Sequence, residues 1–189
     1  GTPSNVTFNN PGHLTRNTSG TIESMVSANQ DAGFSIVKYT GITGGTQNNV
    51  GHGLSSAPEI IFQKKLTAAT NWYVIYTAGD GSVDYLQLNT TGAKADMSGA
   101  YSNFQLGSNT FSNWWDAGEI VNYCWHSVAG YSKIGFYTGG SVPNIVTTGF
   151  KPSFLLIKVI NRSNNSWILI DSARDKDIGN SNYLRPNLS

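Results

Sequence analysis

The chain carries nearly the same text twice. Shifted by 98 positions, as from Thr40 to Thr138, it falls back onto itself. Tyr39-Thr40-Gly41 meets Tyr137-Thr138-Gly139, Tyr85-Leu86 meets Tyr183-Leu184, and Gly20-Thr21-Ile22 meets Gly118-Glu119-Ile120. Between these anchors the register slips by a few residues, pairing Trp72 with Trp167, Lys64 with Lys158 and Pro58 with Pro152. Changes of loop length between strands produce such slips. A duplication of this kind favours a built structural unit over a single reactive cleft.

The text of each copy is that of β-strands. Ile36-Val37-Lys38-Tyr39, Ile60-Ile61-Phe62-Gln63, Trp72-Tyr73-Val74-Ile75-Tyr76 and Ile120-Val121-Asn122-Tyr123-Cys124-Trp125 are short and rich in β-branched and aromatic residues. Gly, Asn, Asp, Pro or Thr clusters bound each of them. No stretch holds an apolar i, i+3, i+4, i+7 pattern over three turns, so helices are not expected beyond a short turn near Asp171–Asp175. Each copy holds about six strands. In the first they fall near 4–8, 21–27, 34–40, 58–66, 72–77 and 84–89, and in the second near 102–106, 119–127, 132–138, 152–160, 167–171 and 182–185. The expected fold is all-β: a β-sandwich of jelly-roll or lectin-like type, one domain over 1–189 made of two tandem repeats, about 4–91 and 102–189, joined at 92–101.

The copies differ on their fourth strand. Ile60, Phe62 and Lys64 align with Phe154, Leu156 and Lys158, but Ile61, Gln63 and Lys65 are replaced by Leu155, Ile157 and Val159. A strand apolar on both faces is buried on both faces. The second copy's strand is therefore expected at the centre, with Gln63 and Lys65 of the first copy facing solvent. Before these strands, Gly53 and Gly149 are expected in turns at positive φ. Pro58 and Pro152 are expected at the first strand residue.

Charge and cysteine content narrow the function. Charged residues make up 12% of the 189 residues, against about 25% in an ordinary soluble domain. Net charge is +1, and Lys64-Lys65 is the densest basic spot, which argues against a nucleic-acid partner. No run of eighteen apolar residues marks a membrane-spanning helix. The opening Gly1-Thr2-Pro3-Ser4 carries neither Met nor a signal segment, as in a processed product or a piece of a longer protein. Cys124, alone in the chain, excludes an internal disulfide and reads as a small buried hydrophobe.

No catalytic constellation emerges, and no enzyme activity, metal or cofactor is expected. His13, His52 and His126 lie far apart in sequence. His52 occupies a turn and has Thr148 as its counterpart, and His126 ends a strand. Asp171, Arg174, Asp175 and Asp177 cluster, but without the spacing of a calcium loop, and they read as an internally paired loop. Among the aromatics, Trp72, Trp125 and Trp167 lie in apolar strands and are expected in the core. Trp114-Trp115 sits between Asn113 and Asp116 in a polar loop, with Arg16-Asn17 at the matching offset. Neighbouring side chains on an extended backbone point opposite ways. An exposed tryptophan there suits a sugar ring or a protein neighbour, so Trp114 and Trp115 are the candidate ligand-binding residues, with packing between the copies as the alternative.

Several phrases carry a family resemblance. Asp31-Ala32-Gly33-Phe34-Ser35-Ile36-Val37-Lys38-Tyr39-Thr40-Gly41, Val50-Gly51-His52-Gly53-Leu54-Ser55-Ser56-Ala57-Pro58, Val128-Ala129-Gly130-Tyr131-Ser132-Lys133-Ile134-Gly135 and Trp167-Ile168-Leu169-Ile170-Asp171-Ser172-Ala173-Arg174-Asp175 resemble a domain family of unknown function found in virion and tail-associated proteins of marine bacteriophages. The resemblance runs from about residue 20 to the end. It implies a β-rich module on the surface of a virus particle. The expected role is a tail, fibre or capsid-surface structural component that forms a homo-oligomer and contacts other virion proteins. The alternative is a carbohydrate-binding adhesin that contacts a host-surface glycan.

Overall fold

The computed structural model describes residues 14–43, 48–97, 104–141, 143–174 and 182–188. Among them are twelve strands and no helix. The strands are β1 (Thr15–Asn17), β2 (Ser24–Asn29), β3 (Phe34–Gly41), β4 (Asn49–Gly51), β5 (Ile60–Lys65), β6 (Tyr73–Thr77), β7 (Val83–Gln87), β8 (Ala95–Asp96), β9 (Thr110–Ser112), β10 (Gly118–Trp125), β11 (Phe154–Ile157) and β12 (Ile168–Asp171). Eight of them form one antiparallel sheet in the order β1-β2-β3-β10-β5-β6-β7-β8. Two smaller antiparallel pairs, β4-β9 and β11-β12, stand beside it.

The centre of the large sheet is β10, a strand from the second half of the sequence inserted between β3 and β5. Its register sets Ile120 opposite both Tyr39 and Lys65, and Cys124 opposite both Ser35 and Ile61. Period-two alternation then divides the faces. One face carries Val37, Tyr39, Ile61, Ile75, Ile120 and Cys124 into a core closed by Val50, Leu54, Phe104 and Phe111. Each such aliphatic side chain, fully buried, contributes about 1.5–3 kcal/mol. On the other face, Val74, Tyr76 and Leu86 meet Trp167, with Leu156 and Ile160 packed against them. Val74, Ile75 and Tyr76 are all buried, so β6 is covered on both sides. The indole of Trp167 donates to the Gln87 carbonyl at 2.9 Å, which ties the β11-β12 pair to β7.

Most expected strands form within a few residues of their expected ends. Four outcomes differ. Residues 132–138 form no strand: Val128 and Ser132 make one isolated bridge, and the described residues from there to Phe154 are irregular. Near 102–106 and 182–185, Leu106 and Leu184 make single bridges, to Phe111 and Leu169. Within the expected join, Ala95–Asp96 adds to the sheet edge as β8. The three-residue strands β1, β4 and β9 were too short to show alternation. The expected strand 4–8 lies outside the described residues, as do His13, Asp175 and Asp177.

The expected positions of the fourth strands are reversed. In β5, Ile61 and Gln63 are fully buried and face the main core, while in β11 Phe154 is 59% and Leu155 41% exposed. Gln63 is tolerated inside because its amide is matched: Nε2 donates to Asn122 Oδ1 at 2.6 Å, and Oε1 accepts from Trp115 Nε1 at 2.6 Å. Pattern alone priced Gln63 as a solvent-facing group, but a buried amide with partners loses that penalty. Trp72 and Trp125 are likewise half-buried rather than in the core; only Trp167 is enclosed.

The glycines of the turns into these strands follow expectation, but Pro58 and Pro152 each lie two residues before the strand rather than at its first residue. Gly53 has φ +71° and Gly149 φ +86°. At Gly53 the space is also closed, because an added Cβ would lie 2.7 Å from Val26 Cγ1. Further geometry recurs between the halves. Lys64 Nζ donates to the Thr70 carbonyl, and Lys158 Nζ to the Asn165 carbonyl at 2.5 Å. Trp72 N donates to Asn89 Oδ1 at 3.0 Å, and Trp167 N to Asn187 Oδ1 at 2.8 Å.

Candidate binding site

The Trp114-Trp115 loop is shaped by one buried amide. Asn113 follows β9 and is fully buried. Its Oδ1 accepts from Tyr39 Oη at 3.0 Å and from Trp115 N at 3.1 Å, and its Nδ2 donates to the carbonyls of Trp115 at 2.7 Å and Ile42 at 3.2 Å. That uses the full capacity of an asparagine amide and fixes the loop against β3. Trp115 then extends the buried chain Trp115–Gln63–Asn122, which ends where Asn122 Nδ2 donates to the Val37 carbonyl at 3.4 Å. Hydrogen bonds linked in this way in a low-dielectric core reinforce one another.

The two tryptophans do not separate into one buried and one exposed ring. Both are half-buried and packed against the main core. Trp114 meets Tyr73 edge-on at 4.6 Å, Tyr85 at 5.6 Å and Trp115 at 5.3 Å. Lys65 Nζ lies 5.4 Å from the Trp115 ring centroid. Edge-to-face packing is favourable, and so is a cation over an indole. Both occupy part of the ring surface that a sugar would otherwise cover and leave part accessible. The loop, which lies within 102–189, packs on β5, β6 and β7 of 4–91, which is the packing between the expected copies that stood as the alternative.

A second aromatic group spans the opposite face of the sheet, and the sequence reading missed it. Trp125 of β10 lies 5.0 Å from Phe34 of β3 and 5.1 Å from Phe62 of β5. Tyr123 stacks on Trp125 at 6.3 Å and reaches Trp72 at 6.3 Å. All five are half-buried. The signal was present in β10, where Val121, Tyr123 and Trp125 alternate with Ile120, Asn122 and Cys124. Which face met solvent depended on which strands flank β10.

The titratable groups serve the fold. His52 is fully buried, its Nε2 donating to the Gly107 carbonyl at 3.1 Å and its Nδ1 accepting from Leu54 N at 3.1 Å. Burial holds its pKa below the ordinary histidine value. His126 Nδ1 lies 3.0 Å from the Ser127 carbonyl. Burial pushes the Cys124 thiol far up, so it is no nucleophile. Asp84 is buried and paired with Lys94, and that carboxylate raises the lysine pKa. Asp171 accepts from Arg174 Nε at 2.7 Å and from the backbone N of Ala173 and Arg174, the internally paired loop expected. Among the described residues no group of three or more His, Cys, Asp or Glu could hold a metal ion.

One eight-stranded antiparallel sheet with half-buried aromatics on both faces defines an all-β protein. The family described as a domain of unknown function (DUF7483) matches residues 7–189, and the chain belongs to that family. No curated protein and no solved structure matches it.

Proposed function

We propose that this chain is a non-enzymatic structural module of a bacteriophage virion, a tail, fibre or capsid-surface component that works as a homo-oligomer among other virion proteins. The observation that carries this reading is the apolar surface of the second half. Phe136, Tyr137, Ile145, Val146, Phe154 and Leu155 are between 41% and 94% exposed. Most of the exposed large apolar side chains lie in the second half of the sequence, and a large exposed apolar area marks a contact surface. The phage assignment is supported by the sequence phrases that resemble virion proteins.

The finer architecture belongs to the same proposal. The two halves are tandem copies, and the whole is a β-sandwich in which the large sheet is one layer. The matched lysine and tryptophan hydrogen bonds support the duplication, as do the parallel series β5-β6-β7 and β11-β12-Leu184. Light scattering of the purified chain, with a search for the protein in purified particles, tests the role. A trimer or larger found in particles supports it, and a monomer absent from particles overturns it.

A second reading, a glycan-binding adhesin, is favoured by the half-exposed Tyr73, Tyr85, Trp114 and Trp115 beside Lys65. A glycan array tests it: hits lost on Trp115→Ala support it, and an array with no hits removes it.

A further inference from the structure

The strand β11 has the wrong surroundings for its sequence. Phe154, Leu155, Leu156 and Ile157, continued by Val159 and Ile160, present apolar side chains on both faces, the pattern of a strand with neighbours all round. One edge of β11 pairs with β12, and Leu156 packs on the Trp167 cluster. Among the described residues no strand pairs with the other edge. Phe154, Leu155 and Val159 are each at least 39% exposed.

The first half shows what covers that edge. β5 aligns with β11, and its corresponding edge is filled by β10, which pairs antiparallel from Ile120 opposite Lys65 to Trp125 opposite Ile60. β10 opens with the second instance of the repeat's Gly20-Thr21-Ile22 motif, as Gly118-Glu119-Ile120. A strand of the expected second copy thus pairs with β5 of the first. We propose that the edge of β11 over Phe154–Ile157, which no described strand pairs and beyond which the Ile160 carbonyl accepts from Lys94 N at 2.8 Å, is an acceptor for one further strand of the β10 type, an extended segment from a repeat of this kind on a different protein chain. This rests on the tandem-copy reading above.

The alignment also states what that strand must carry. In the first half Asn122 lies opposite Gln63, and the two amides bond at 2.6 Å. In β11 the Gln63 position is Ile157, and the Lys65 position is Val159. An asparagine brought opposite Ile157 loses its partner and is buried unsatisfied. The incoming strand therefore has an apolar residue where β10 has Asn122. Its backbone bonds to β11 supply affinity, and its alternate side chains supply specificity, as in other strand-addition complexes.

The test adds two peptides to the intact chain: the Gly118–Trp125 sequence unchanged, and the same sequence carrying Asn122→Ile. Amide hydrogen exchange of the β11 segment is read by mass spectrometry, with light scattering on the same samples. At about ten times its Kd, the Asn122→Ile peptide is expected to slow exchange of β11 about tenfold, and the unchanged peptide is expected to bind about tenfold more weakly. The chain variant Ile157→Gln should reverse that preference, because it restores the first half's amide pair. No protection by either peptide overturns the acceptor, and so does equal protection by both. Protection of β11 that rises with protein concentration, without peptide, also overturns it, since a second copy is then the occupant. An oligomer with β11 unprotected defeats the acceptor and leaves the assembly role standing. A monomer whose β11 is protected by the Asn122→Ile peptide does the reverse.

Discussion

β5 and β11 carry similar sequences, Ile60, Phe62 and Lys64 matching Phe154, Leu156 and Lys158, and meet different fates. β5 lies between β10 and β6, and its Ile61 and Gln63 are sealed in the core. Among the described residues β11 has one strand neighbour, and its more apolar Phe154 and Leu155 face solvent. The comparison teaches that burial is set by the number of neighbours a strand acquires. A strand's own composition only states how many it can use. Here the more polar strand is the more buried one, because its one misplaced polar group, Gln63, has partners on both sides of its amide.

The largest effect that tests this difference is a pair of truncations. Ile61→Ala should cost about 2–5 kcal/mol in urea denaturation, the range for a fully enclosed aliphatic side chain. Leu155→Ala, at the equivalent position, should cost under about 1 kcal/mol. Equal costs would mean that the second half is covered in solution. A second contrast uses ion pairs. Lys94→Met leaves the buried Asp84 carboxylate uncompensated and should cost about 3 kcal/mol, the low end for such a loss because Lys94 is itself a third exposed. Arg174→Met breaks only the surface pair with Asp171 and should leave the urea midpoint unchanged.

A third contrast addresses the amide network. Asn122→Val should cost about 1–3 kcal/mol, because Gln63 Nε2 then loses its acceptor. Adding Gln63→Leu should cost less than the sum of the single changes, a coupling that a double-mutant cycle reads directly. The smallest effect is a pH dependence. His52 has its pKa lowered by burial from the ordinary 6.5, so the unfolded chain binds the proton more readily than the folded one. Its contribution to stability is complete above pH 6.5 and is lost as pH falls toward the folded-state pKa. Urea midpoints measured downward from pH 7 should decline, and His52→Thr, which installs the residue of the second half, should flatten that decline.

Much of the architecture was legible. β2, β3, β5, β6, β7, β10, β11 and β12 were visible as β-branched and aromatic runs between turn residues, and Gly53 and Gly149 as positive-φ turns. The candidate site was legible only as a pair of residues. Trp114 and Trp115 stood out, but their anchoring through Asn113, Gln63 and Asn122 joins positions up to 85 residues apart, which no local pattern links. The aromatic row from Phe34 to Phe62 through Trp125 was hidden for the same reason, since three strands distant in sequence supply it.

What the sequence determined by itself was local: an all-β chain with strands of a given alternation, punctuated by glycine and proline, and written in two matching series. Side-chain sterics and backbone conformational preferences act over a few residues, so a linear text can express them. What only the tertiary structure decided was which strand lies next to which. β10, distant in sequence from both, lies between β3 and β5. That choice turned Gln63 inward and placed Trp125 on the outer face. Long-range pairing is settled by competition among all strands for edges and cover, and the energy of that competition belongs to no single segment.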